Sequence, residues 1–224
     1  MDAAIPVMRN TIHTSGLRDL DTVDMVVIHY TGSMSLGGTL SWFDSPESKV
    51  SAHVVIGREG QLHRYNTFSD SLWHAGRSEW MGRKWCNRRS IGIELVGNYE
   101  SNFTAEQYDT LQREINAMIG TVPTIRYIVG HDQIAQGRKR DPGPGFVWAE
   151  VRDQVERQGR GGEGLVERVG PYDLTYTPPI ESSFLEAPGV SELSAMAERN
   201  SPAIMDSGKD PSWVGRLVDL FSRS

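Results

Sequence analysis

Residues 25–32 read Met-Val-Val-Ile-His-Tyr-Thr-Gly. The run Met25 to His29 is short, apolar and rich in β-branched side chains, and it stops on His29 and Tyr30 before a Thr-Gly turn signal. It predicts a buried strand that delivers His29 to its end.

Two further runs repeat the pattern. Ile91 to Val96 (IGIELV) is continuously apolar except for one carboxylate, Glu94, and Ile125 to Val129 is a strand ending on a second histidine, His131. Between them, Thr104 to Ile119 reads as a helix. Tyr108, Leu111, Ile115, Met118 and Ile119 recur at helical spacing, and Thr104 as N-cap with Gln107 three residues later forms a capping box. Strands and helices alternate, so the expected class is α/β, with a mixed central sheet flanked by helices.

The remaining elements are shorter. Leu40 to Phe43 reads as one short helix, and Ala52–Ile56 and Gln61–Tyr65 flank Arg58-Glu59-Gly60 as a hairpin. Asp141-Pro142-Gly143-Pro144-Gly145 breaks regular structure, and Phe146 to Arg157 closes the domain as a helix. From Gly159 the composition shifts to Gly, Pro, Ser and Thr, which predicts an extended linker over 159–189. Residues 190–224 then read as a helical tail. Asp210 caps a helix in which Trp213, Val214, Leu217, Val218 and Phe221 line one face, a surface for a protein partner.

Composition narrows the function. Lys and Arg number 23 against 29 Asp and Glu, giving a formal charge of −6 and no general electrostatic reason to bind nucleic acid or an anionic membrane. Six basic and ten acidic side chains follow residue 158, so most of the excess negative charge lies in the tail. Cys86 is the only cysteine, which rules out an intramolecular disulfide and a cysteine-based zinc site. The start shows no signal-peptide pattern, and no run approaches the roughly 18 apolar residues of a membrane span. The expectation is a chain made in the cytoplasm.

Zinc catalysis needs about three protein ligands and an open position, and two imidazoles with a carboxylate are an accepted set. His29 and His131 each follow a predicted strand, so neighbouring strands can unite them across 102 positions. Asp141 lies ten positions after His131, and a Gly- and Pro-rich loop can fold it back. Spacing alone leaves the bland alternative open, since six histidines and 29 acids offer many such triples.

Five motifs change that weighting: HYTG at 29–32, VSAH at 50–53, WHAG at 73–76, SIGIELVG at 90–97 and GHDQIAQGRKRDPGPGFVW at 130–148. Together, over roughly residues 20–157, the chain resembles the type 2 N-acetylmuramoyl-L-alanine amidases, a family that includes the muropeptide-recycling amidase, phage lysins and peptidoglycan recognition proteins. The resemblance implies one zinc ion per chain on His29, His131 and Asp141, an amidase domain over 1–158, and peptidoglycan or a muropeptide as substrate. It also implies catalytic roles for Glu94, as general base, and Lys139, stabilising the oxyanion. Glu94 is independently the one ionisable side chain inside an apolar strand, where burial raises a carboxyl pKa.

Around these, Tyr30 and Trp73 suit the wall of a saccharide or peptide groove. His53 and His74 either donate hydrogen bonds to substrate or serve as structural histidines. Arg138 and Arg140 read as solvated charges or contacts to substrate carboxylates, and Arg83, Lys84, Arg88 and Arg89 as a solvated basic cluster. The recycling enzyme carries a longer insertion between its first zinc ligand and VSAH, where only 24 positions separate His29 from His53 here. That departure favours a phage-type lysin or virion-associated wall hydrolase. The alternatives are a cytoplasmic recycling amidase and a non-catalytic peptidoglycan-binding or regulatory protein.

Overall fold

A computed structural model of the 224-residue chain describes residues 5–152 and 168–170. Eleven strands are defined among them. In chain order they are β1 (Val7–Arg9), β2 (Thr14–Leu17), β3 (Met25–Tyr30), β4 (Val54–Ile56), β5 (Leu62–Tyr65), β6 (Asp70–Leu72), β7 (Glu79–Trp80), β8 (Arg83–Lys84), β9 (Ser90–Leu95), β10 (Tyr127–Gly130) and β11 (Arg168–Val169). Helices α1 (Leu36–Asp44), α2 (Ala105–Thr121) and the single turn α3 (His131–Ile134) join them.

Seven strands form one mixed sheet in the order β1-β5-β4-β9-β3-β10-β11. The β4–β5 hairpin is antiparallel, whereas β4, β9, β3, β10 and β11 run parallel to one another. Central parallel strands are covered on both faces, which is why β3 and β9 read as unbroken apolar runs. Val26, Ile28, Ile91 and Ile93 pack with Leu111, Ile115 and Met118 of α2 in one core. Val55, Leu72 and Tyr65 pack with Phe43 of α1 in a second.

Helix α2 starts at its expected cap and runs two residues past Ile119 to Thr121, and both halves of the Thr104–Gln107 capping box form. Gln107 does more than cap. It is fully buried, its carbonyl accepts from the Thr104 N–H at 3.1 Å, and its amide donates to the Ile56 and Val96 carbonyls at 3.4 and 3.0 Å. One side chain thus ties the helix start to the ends of β4 and β9.

Helix α1 runs longer than the reading of 40–43. Ser35 caps it by accepting from the Gly38 N–H, which offsets the poor helix propensity of Gly37 and Gly38. The closing helix expected over 146–157 is present at 148–152, and its remainder lies outside the described residues. Arg168 and Val169, placed by sequence in the linker, instead pair with Tyr127 and Ile128 as an edge strand. The rest of the expected linker, and the whole helical tail of 190–224, lie outside the described residues.

Replacing Gln107 with Ala strips one N–H and two carbonyls of a partner at the helix–sheet junction. The expected cost is about 2–3 kcal/mol, roughly 5–10 °C in melting temperature. Thermal unfolding followed by circular dichroism measures it, and an unchanged transition would refute the role.

Candidate metal centre

Three parallel strands end together. Because β3, β9 and β10 run the same way, their carboxyl ends share one edge of the sheet, where open α/β sheets place their sites. His29 pairs with Glu94 in register, Gly130 pairs with Ile28, and His131 follows Gly130 directly. The loop after α3 folds back through a hydrogen bond from the Asp132 N–H to the Asp141 carbonyl at 2.9 Å, which returns Asp141 to the histidines.

The result is a tight cluster. His29 Nδ1 lies 3.0 Å from His131 Nδ1 and 2.8 Å from Asp141 Oδ2, and His131 Nδ1 lies 2.9 Å from the same oxygen. All three residues are buried. The Ala75 carbonyl can only accept, so the His131 Nε2 at 3.0 Å donates to it and Nδ1 is the ring nitrogen turned to the cluster. Burial opposes ionisation of Asp141, but the adjacent imidazoles outweigh it and hold its carboxyl far below the usual range. Burial, reinforced by His131, brings His29 down to about 4, so it is neutral near pH 7. Two imidazoles and a carboxylate converging on one point form a donor set that a borderline-soft divalent cation fits.

Glu94 occupies the same face. It is 4% exposed, its Oε2 has no hydrogen-bond partner among the described residues, and burial with Asp141 nearby pushes its carboxyl well above the usual range. Lys139 opposes that rise, and its own ammonium is lowered by burial while Asp141 and Glu94 support its charge. Tyr30 ends β3 half-buried and is raised to about 12 by burial, then by Asp141.

The other expected contacts divide. His74 joins the cluster from behind, with Nδ1 3.0 Å from His29 Nε2. His53 does not. It is fully buried, accepts from the Gly92 N–H at Nδ1 (3.0 Å) and donates from Nε2 to the Asp70 carbonyl (2.9 Å). Both ring nitrogens are engaged within the protein, the arrangement expected of the structural alternative. Trp73 packs its ring on His13 and donates to Ser15 Oγ at 2.9 Å, neighbours that lie outside the ligand cluster. Arg89, read as part of a solvated cluster, is buried and ion-paired with Asp24. Arg138 clamps the Ala75 and Arg77 carbonyls.

Sequence reasoning passed over Tyr99, whose ring stacks under the Arg140 guanidinium at 3.9 Å, and the Ala75 carbonyl. It also passed over Gly92. A glycine inside an otherwise apolar strand is a signal for close approach, and here a Cβ would stand 2.5 Å from His74 Cγ.

A family model for N-acetylmuramoyl-L-alanine amidases matches residues 19–144. The 1,6-anhydro-N-acetylmuramyl-L-alanine amidase AmpD of Escherichia coli K12 is 43% identical over 111 residues, 49% of this chain and 61% of that protein. The chain therefore spans about three fifths of that relative's length. The crystal structure of a selenomethionine AmpD derivative superposes with a TM-score of 0.58 at 32% identity, covering 69% of this chain and 95% of the other. The E. coli amidase AmiD, in complex with anhydro-N-acetylmuramic acid-L-Ala-D-γ-Glu-L-Lys, gives 0.55 at 25% identity over 63% of this chain and 65% of its own.

His53 generates a pH prediction. Burial, then the Arg18 charge, lowers it from 6.5 to about 3, so between those values the unfolded chain binds a proton that the folded chain refuses. Its contribution is complete above pH 6.5 and drains as pH falls. In metal-free protein, His53→Gln is expected to be less stable at pH 7. Its stability should then decline between pH 6.5 and 4 less steeply than the native chain, by about 1.4 kcal/mol per pH unit at most. Parallel melting curves against pH would refute this.

Proposed function

Because the chain belongs to the N-acetylmuramoyl-L-alanine amidase family, we propose that it hydrolyses the amide between N-acetylmuramic acid and L-alanine in soluble muropeptides, with one zinc ion held by His29, His131 and Asp141. The observation that carries this reading is the buried convergence of two imidazole nitrogens and a carboxylate oxygen beside Glu94, on one edge of the sheet.

When bound, zinc supplies Lewis-acid polarisation of the scissile carbonyl and acidifies water to the neutral range. The chain's own groups perform the rest. Glu94, whose burial favours holding a proton, takes one from the attacking water and passes it to the departing amide nitrogen, so that the free L-alanine amine leaves. The Lys139 ammonium, electrostatically coupled to Glu94 and Asp141, stabilises the negative charge developing on the carbonyl oxygen. Tyr30 and the Arg140–Tyr99 stack line the same mouth, where an aromatic surface and a cation suit a sugar and an acidic stem.

The substrate form is argued from the relatives. The lysin setting, expected from the short spacing between His29 and His53, has no support from AmpD or AmiD. The muropeptide alternative does, since AmpD is a 1,6-anhydro-muramyl amidase and AmiD was captured with an anhydro-muropeptide.

The test offers the purified protein soluble 1,6-anhydro-muropeptides and intact sacculi, and identifies released stems by mass spectrometry. Stems with a free L-alanine amine are expected from the soluble substrate, abolished by chelator and restored by zinc. Glu94→Ala should lower kcat by about 10²- to 10⁴-fold. Release from sacculi alone would overturn the proposed substrate form. No release from either, with zinc bound, would leave a peptidoglycan-binding protein.

A further inference from the structure

His29 differs from His131 in one respect: its outer nitrogen meets another imidazole instead of a backbone carbonyl. His29 Nε2 lies 3.0 Å from His74 Nδ1, the His74 Nε2 lies 3.0 Å from Ser90 Oγ, and Ser90 Oγ lies 2.6 Å from the Cys86 carbonyl oxygen. Each imidazole link in isolation can run either way. The last one cannot.

A carbonyl oxygen has no proton to give, so the Ser90 hydroxyl donates to Cys86 and its single hydrogen is spent. Its oxygen must then accept from His74 Nε2–H. His74 is buried among other imidazoles, with ring centroids 5.2 Å from His29 and 5.7 Å from His53, and with Nε2–H committed to Ser90 its Nδ1 is turned to His29 as the acceptor. It can bond His29 only if His29 Nε2 is the donor, which leaves His29 Nδ1 bare and aimed at His131 and Asp141.

From this chain we propose that His74 and Ser90 are positioning residues, which hold His29 in its Nε2–H tautomer so that Nδ1 is free to bind the metal. The proposal rests on the reading of His29 as a metal ligand.

The seat for His74 is built independently. Gly92 of β9 leaves the space that the ring crosses, since a Cβ there would overlap it at 2.5 Å. The Asn87 carboxamide oxygen accepts from the His74 and Ala75 N–H groups at 3.2 and 2.7 Å and pins the segment. Two successive residues of WHAG thereby serve both imidazole ligands, His74 through its ring and Ala75 through its carbonyl. Packing alone would need no such polar continuity.

The test measures zinc affinity of the metal-stripped full chain by competition with a chromophoric chelator. His74→Leu keeps bulk but has no acceptor, and a loss of about 10- to 100-fold is expected, the usual cost of removing a partner of a metal-bound imidazole. His74→Asn, with its amide oxygen near the Nδ1 position, should recover most of the loss, and Ser90→Ala should fall between. Long-range ¹H–¹⁵N spectra of metal-free native protein should place the His29 proton on Nε2. Equal zinc affinity in the native, Leu and Ala forms, or a His29 proton on Nδ1, overturns the proposal. Melting of the metal-free variants checks folding, and if His74→Leu does not fold, Ser90→Ala carries the affinity test. Zinc data as expected with no amidase activity would defeat the proposed reaction and leave this inference standing.

Discussion

The parallel pairing of β3 with β9 and β10 is the constraint from which the site follows. Parallel strands of matched register end at one level, so residues far apart in sequence leave the sheet side by side. His29, Glu94 and His131 are neighbours for that reason, before any side-chain interaction is considered. Parallel strands also need cover on both faces. The packing of α2 and α1 on opposite sides therefore stabilises the sheet, and His29, Glu94, His131 and Asp141 are themselves buried at its edge.

That burial sets the charge states. In a low-dielectric interior an isolated charge is costly and a nearby opposite charge is worth more than in water. Asp141 stays ionised because two imidazoles face it, His29 stays neutral because burial opposes its charge, and Glu94, without a hydrogen-bond partner on Oε2, is pushed toward the protonated form. Two carboxyl groups a short distance apart thus acquire opposite tendencies. One is suited to hold a cation, the other to carry a proton.

A second layer supports the first. The segment from His74 to Ala75, pinned by Asn87 and clamped by Arg138, turns its polar atoms toward the outer nitrogens of both imidazoles. Orientation of this kind decides which lone pairs point inward, and metal sites depend on it as much as on ligand identity. His53 lies one step further back, bonded to β9 and to the Asp70 carbonyl.

Much of the scaffold was legible in the chain. Buried strands announce themselves as continuous β-branched runs, and MVVIH and IGIELV did so within a residue. The capping box marked the start of α2, because its two hydrogen bonds are local. Short elements such as β6 to β8 were missed, since two- and three-residue strands have no period to detect. The ligand set was legible only as a candidate, because spacing constrains reach and not convergence, and the family resemblance singled it out. What the sequence determined by itself was therefore everything carried by neighbours within a few positions: strand, helix, cap and turn. The tertiary structure alone decided which of two equally plausible histidines, His53 or His74, touches the centre. It also decided that a glycine at 92 makes room for the latter, and that a backbone carbonyl at 86 sets the direction of a hydrogen-bond chain. The first two choices depend on through-space contacts between residues 16 to 45 positions apart, for which no local pattern exists, and the short Cys86–Ser90 contact gains its meaning only from them.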